Sequence, residues 1–326
     1  MKKLGFEEIE EILDRILQKC VICPHKCRVN RKEGEKGFCK AGYKPVISSA
    51  MPHHGEEPPI SGSRGSGTIF FTYCNMKCVY CQNYQISQEY EGEETSIFSL
   101  ADIMLRLQSI GCHNINLVSP TIWIPQIVKA LLIARKRGLS VPIVYNTGGY
   151  DSPQIIKMLD GLIDIYMPDA RYSSNIMAEK YSMVKDYVKY NRESLKEMYR
   201  QVEGLKLDEN GVAKKGLLIR LLVMPDNISG TKETLNFIKN ELSTDVYLSI
   251  MAQYYPIYKA KNYPELNRRL KVQEYLEIVN YAEKLGFSYG WTQDYIGLNS
   301  EDLFIPDFRK RKVFKYYEDK SKADMD

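Results

Sequence analysis

The sequence predicts an α/β protein: a parallel (β/α) barrel, full or incomplete, preceded by a small cysteine-rich metal-binding module. Three observations carry this. From Thr68 onward, short apolar runs alternate with stretches of helical spacing, the pattern of βα units around a parallel sheet. Residues 20–67 lack that periodicity and are rich in Gly, Pro and Cys, as in a loop-built segment held by a metal instead of a core. The length of 326 residues fits one large domain or two ordinary ones, and its upper range accommodates a barrel kept as one unit.

Taken in order, Phe6, Ile9, Ile12, Leu13, Ile16 and Leu17 recur at helical spacing and predict a short amphipathic helix over 6–19. Strands are predicted at 68–73, 114–118, 141–145, 162–167, 217–224, 246–250 and 287–289, with helices at 98–110, 123–137, 153–159, 231–241 and 271–285. Gly138, Gly161 and Gly286 each follow a helical stretch, as left-handed C-caps do. Ala170 to Gly216 reads as one long helical insertion with a turn at Asp208–Gly211. The chain thus divides into a helix and cysteine-rich module (1–67), a barrel of six or seven units (68–300) and a charged tail (301–326), of which 308–326 is expected to fray. In such a barrel the chemistry sits at the C-terminal ends of the strands.

Charge excludes some functions. Forty-five basic against 41 acidic side chains leave +4, too little for a protein that grips nucleic acid or an anionic membrane through phosphates. No apolar run reaches the length of a bilayer span, and Met1 to Cys20 is charged and amphipathic, unlike a signal peptide. A soluble, cytoplasmic protein is expected. Its eight cysteines then read as metal ligands or redox groups before disulfides.

Cys74, Cys78 and Cys81 form C-x3-C-x2-C within FTYCNMKCVYCQN, where the first barrel strand ends. Three thiolates suit a 4Fe–4S cube and leave one iron open for a chelating small molecule. Zinc would want a fourth ligand, and no His or Cys lies close downstream. Cys20, Cys23, Cys27 and Cys39 form a second set, C-x2-C-x3-C-x11-C. Four cysteines are complete either for structural zinc or for a second 4Fe–4S cluster. Spacing does not separate the two, and the cluster is favoured slightly because the chain already demands cluster assembly. His25 lies inside the motif and reads as a neighbour of the ligands.

On these residues the chain resembles the radical S-adenosylmethionine superfamily, whose signature is this C-x3-C-x2-C. Within it, CPHKCRVNR, GFCKAG, EEPPISGSRGSGTIFF, HNINLVSPT, VYNTGGY and DIYMPDARY resemble the pyruvate formate-lyase activating enzyme group, and more nearly its homologues with a cysteine-rich N-terminus. The likeness covers about residues 20–300. It implies a partial (β/α)6-type barrel that chelates S-adenosylmethionine on the open iron. One electron then splits the cofactor to methionine and a 5′-deoxyadenosyl radical that abstracts hydrogen from a substrate, under anaerobic conditions. A flavodoxin- or ferredoxin-type reductant is implied, with a glycyl-radical enzyme, a peptide or a small molecule as the target. A non-catalytic iron–sulfur electron carrier is the reading of another class.

The resemblance also implies cofactor contacts. Asp169 and Arg171 in DIYMPDARY, Arg220 in LLIRLLVMP and Gln253 in SIMAQYYP stand where relatives touch the cofactor. Asn146 opens the NTGGY turn, whose glycines let backbone come near the cofactor or simply form a tight turn. One departure stands out. The Gly-Gly-Glu run that activating enzymes place after the second strand is Ser119, Pro120 and Thr121 here, so the Ser119 and Thr121 hydroxyls or nearby carbonyls would accept from the ammonium.

Other features promise less. Cys112 reads as a lone buried thiol beside His113. His53, His54, Glu56 and Glu57 read as solvated residues of a proline-flanked loop, and SGSRGSG at 61–67 as a flexible lead-in to the first strand. The 24 tyrosines read as amphipathic surface and rim. A small substrate would need the segment near Trp291 and Asp294 to close the barrel.

Overall fold

A computed structural model of the chain describes residues 5–293, 305–310 and 313–314. Helix α1 (Phe6–Ile16) buries Ile9 and Leu13 one turn apart and carries Glu7 and Glu8 in its first turn, where acidic groups favour the helix dipole. The predicted helix ends three residues early, in a 3₁₀ turn at Leu17–Lys19.

The remaining elements in chain order are β1 (Val46–His53), α2 (Pro58–Ser61), β2 (Ser66–Phe71), α3 (Tyr84–Ser87), β3 (Glu93–Glu94), α4 (Ile97–Ser109), β4 (Ile115–Val118), α5 (Ile124–Lys136) and β5 (Ile143–Thr147). Then come α6 (Pro153–Met158), β6 (Ile165–Pro168), α7 (Asn175–Ser182), α8 (Tyr187–Val202), β7 (Lys206–Leu207), β8 (Ala213–Leu222), α9 (Thr231–Glu241), β9 (Tyr247–Met251), α10 (Val272–Leu285) and β10 (Gly290–Thr292).

The strands run in the order β10-β9-β8-β6-β5-β4-β2-β1-β3. Pairing is parallel from β10 through to β2 and antiparallel where β1 joins β2 and β3 joins β1. Both ends of this path are free among the described residues, so the barrel is partial. The seven parallel strands answer to the seven predicted runs, the last displaced from 287–289 to 290–292. Strand β1 lay unpredicted in the aperiodic segment, because Ser48, Ser49 and Pro52 interrupt its apolar pattern. Nor is 170–216 one helical insertion: it holds two helices and the short β7, which pairs with β8 around the predicted Asp208–Gly211 turn.

Period-two alternation sorts the strand residues. Tyr145, Tyr166, Leu217, Ile219 and Leu221 point outward into the main core shared with the helices. Val144, Ile165, Met167 and Leu218 point inward, where Ile60 of α2 packs fully buried among them. Burying that isoleucine contributes about 2 kcal/mol and plugs one end of the barrel. One pleat further on, the inward positions become polar: Asn116, Asn146, Arg220 and Ser249.

Two surface readings are refined. Nine of the 24 tyrosines are buried, Tyr80, Tyr172, Tyr181 and Tyr187 among them in a satellite core around the Cys74–Cys81 loop. The described residues of the tail expected to fray are not free: Phe308, Val313 and Phe314 join a cluster with Phe70, Ile86 and Val118. No helix among the described residues is long and apolar enough to cross a membrane.

Candidate active site

The C-x3-C-x2-C loop leaves β2 two residues after the strand ends. It is anchored to α7 by Lys77 N donating to Ser182 O and Val79 N to Tyr181 O. Cys78 is buried and its sulfur lies 3.0 Å from Ser182 Oγ; the same hydroxyl is 2.8 Å from Tyr172 Oη, itself 2.6 Å from Tyr80 Oη. Burial, then the neighbouring Cys78 sulfur, pushes the Cys74 thiol up to about 12 and the Cys81 thiol to about 11. Cys74 and Cys81 are therefore held toward the thiol form, and a bound cation would favour their thiolates.

Beside the loop opens a cavity of about 670 Å³, bordered by Cys81 and by Asn146, Asp169, Arg171, Arg220 and Gln253. This volume falls in the ~300–1,000 Å³ range of small-molecule sites. Five of the seven residues expected at the cofactor are thus brought together with one of the cysteines. Their contacts are specific. Arg220 donates through Nε to Asp169 Oδ1 at 2.8 Å and through Nη2 to Asn146 Oδ1 at 2.7 Å. Arg171 pairs with the other Asp169 oxygen. Gln253 is tied to the cysteine loop by its carbonyl, which accepts from Gln82 Nε2 at 3.1 Å, and to β10 by Gln293 at 2.9 Å. In the NTGGY turn Gly149 holds φ +78, and a Cβ there would stand 2.0 Å from Asp169 O. That glycine serves chain crossing directly behind the aspartate.

Ser119 and Thr121 are placed elsewhere. Neither borders the cavity. Thr121 donates to Asp151 Oδ1 at 2.7 Å in a buried cluster with Tyr145 and Thr147.

The largest difference from the sequence reading lies at 53–57. Glu56 and Glu57 are buried, not solvated, and both border the cavity. Glu56 Oε1 accepts from Asn116 Nδ2 at 2.9 Å and Asn146 Nδ2 at 3.3 Å, and Oε2 stands 3.7 Å from Arg220. Burial raises the Glu56 carboxyl above its ordinary range. The same cause pushes Glu57 to about 7, with Arg220 opposing and Glu56 adding to the rise. His53 is also buried, stacked 4.4 Å from Phe314, and burial lowers it to about 4, so it is neutral. The signal for the glutamates was indirect. Residues before proline are held extended, and Ile60, three positions after Glu57, is apolar enough to draw the segment inside.

The four N-terminal cysteines also gather. Cys20, Cys23 and Cys39 are buried and Cys27 half-buried. Burial first, then the charge of Cys39, raises the Cys23 thiol, and Cys20 and Cys27 add to it. Arg31, 1% exposed, donates to the Gly42 and Ile122 carbonyls and lies 5.0 Å from the Trp123 ring, and its charge favours the thiolate of Cys39. His25 is a neighbour: its Nε2 donates to Asn75 O in the C-x3-C-x2-C loop at 2.8 Å, and its ring stacks on Phe38 at 3.8 Å. The two cysteine sets therefore share a boundary. Among the described residues, no three His, Cys, Asp or Glu side chains converge closely enough to grip one ion.

A parallel partial barrel with a three-cysteine loop at its first strand end defines an iron–sulfur enzyme class that leaves one iron for its cofactor. Residues 68–238 match the model of the radical SAM superfamily. The chain is 33% identical over 283 residues to the uncharacterized protein MJ0674 of Methanocaldococcus jannaschii, covering 84% of this chain and 77% of that one. It is 25% identical over 299 residues to MJ0808 of the same organism, covering 82% of each. The chain belongs to the radical SAM superfamily, and is by that membership an enzyme using S-adenosylmethionine and a 4Fe–4S cluster. Among solved structures, the FeFe-hydrogenase maturase HydG from Carboxydothermus hydrogenoformans is similar with a TM-score of 0.48 and 12% identity, over 96% of this chain and 71% of that one.

Proposed function

We propose that this enzyme abstracts hydrogen from a small molecule held in the barrel, and that the N-terminal cysteines carry a second iron–sulfur cluster. The carrying observation is the cavity itself. It borders Cys81 on one side and takes Trp291, Pro306 and Phe314 from the C-terminal segment into its lining, so the chain's own residues fill part of the space that a partner protein's loop would need. Asp294, expected to help close the barrel, lies outside the described residues.

Cys74, Cys78 and Cys81 would hold the catalytic cluster, which when bound supplies the electron that splits S-adenosylmethionine. The protein's own work is placement and exclusion. Asp169, fixed from two sides by Arg171 and Arg220, offers a rigid acceptor for ribose hydroxyls or an ammonium. Arg171 keeps its Nε without a hydrogen-bond partner, free for a carboxylate. Tyr80, Phe70 and Met251 give apolar wall that keeps water from a radical. For the second set, Arg31 supplies a buried positive charge beside thiolates, and no thiol of the four borders the cavity.

Anaerobic reconstitution, reduction and addition of S-adenosylmethionine test the enzyme reading: 5′-deoxyadenosine should form. Its absence from protein with a full iron and sulfide complement would refute radical chemistry and leave an electron carrier.

A further inference from the structure

We infer that Glu57, with Glu56 beside it, is the group that recognises the substrate, and that the substrate carries an ammonium or guanidinium there. The inference rests on the hydrogen-abstraction reading above and specifies what the cavity takes. The plug formed by Ile60 of α2 sets Glu56 and Glu57, the residues just before it, at the inner end of the cavity. The cysteine loop borders that cavity through Cys81 and Gln82.

The polar groups there are nearly all committed to one another. Both Asn116 and Asn146 donate to Glu56, and Arg220 is divided among Asp169, Asn146 and Glu56. Glu57 remains. It is 9% exposed and borders the cavity, and its Oε2 is buried with no hydrogen-bond partner. A buried acceptor left unmade costs about 1–3 kcal/mol, which a donor arriving with the ligand recovers. Charge selects the donor. Asp169 is paired with Arg171, while Glu56 and Glu57 have Arg220 as their neighbouring cation, itself paired with Asp169; a cation arriving at Glu57 is therefore favoured over an anion. Ser249 and Glu56 adjoin Glu57 and offer further oxygens to a primary ammonium or one edge of a guanidinium.

The test uses the reconstituted full chain and four probes by calorimetry: cadaverine and agmatine, and two five-carbon controls, pentane-1,5-diol and glutarate. Cadaverine or agmatine should bind while the diol and glutarate do not. Because Glu57 holds a proton for part of the time near neutral pH, cation binding should release that proton, seen as a dependence of the heat on buffer ionisation. Glu57→Gln should weaken the cation by about tenfold or more and remove the proton release. Absence of binding by both cations, equal binding of the diol, or displacement of the cation by S-adenosylmethionine would each overturn the assignment, the last giving Glu57 to the cofactor's ammonium. Failure of the underlying radical reading shows separately, as no 5′-deoxyadenosine from wild type.

Discussion

The two cysteine sets are neighbours joined through His25 and Asn75, yet their surroundings differ in kind. Around the C-x3-C-x2-C loop the protein is unfinished: a cavity adjoins Cys81, and Glu57 Oε2 and Arg171 Nε are buried without partners. Around the N-terminal set no cavity is lined by the cysteines, and one neighbouring atom, Gln126 Oε1 beside Tyr43, is buried without a partner. The one buried charge there, Arg31, spends its guanidinium on two carbonyls and an indole face. Buried polar groups are costly unless satisfied, so unsatisfied ones accumulate where an exogenous molecule is to sit. Three cysteines with a cavity beside them suit a reaction centre, and four cysteines away from that cavity would, if they bind metal, suit a closed one.

The sharpest way to break this contrast is to remove ligands. Cys74→Ala, Cys78→Ala or Cys81→Ala should each abolish 5′-deoxyadenosine, measured by chromatography after reduction, while the iron of the other set persists. A Cys20/Cys23 double alanine variant comes next. It should lose about half of the iron and sulfide of wild type if both sets hold four-iron clusters; zinc in the wild-type metal count, with unchanged iron in the variant, would reverse that assignment.

A smaller effect follows from Glu57, whose carboxyl is raised from 4.5 to about 7. The folded state holds a proton that the unfolded state has released, so stability of the ligand-free chain should fall as pH rises between those values and level off above them. The loss is bounded at about 3 kcal/mol, and Glu57→Gln should flatten it in urea unfolding at each pH. Glu56, Asp169, Arg171 and Arg220 border the same cavity and set the size of the slope. The least effect is expected from Cys112→Ala. That thiol is buried behind the first strand, against the backbone of Gly67, and product formation should be nearly unchanged.

Much of the barrel was legible because parallel strands buried on both faces are written as continuous apolar runs, as in β4 and β8. The cysteine loop was legible because its spacing is local. Glu56 and Glu57 were not. Their burial depends on Ile60 meeting Val144, Ile165 and Leu218, contacts made from three other parts of the chain, which no window around residue 57 contains. Phe314 was missed for a related reason: in RKVFKYYEDK the charged residues dominate the reading until the ring's contacts with His53 and Phe70 are seen. The opposite error touched Thr121, whose position suggested an ammonium acceptor while its hydroxyl is engaged by Asp151.

Ile60 stoppers one end of the barrel, while the sheet stays unclosed between its free edges among the described residues. If a nucleoside seated on Asp169 covers the two glutamates, whatever rests on them enters first and leaves last. Initial-rate kinetics should then show a compulsory sequence, with the cofactor's fragments departing ahead of the altered substrate.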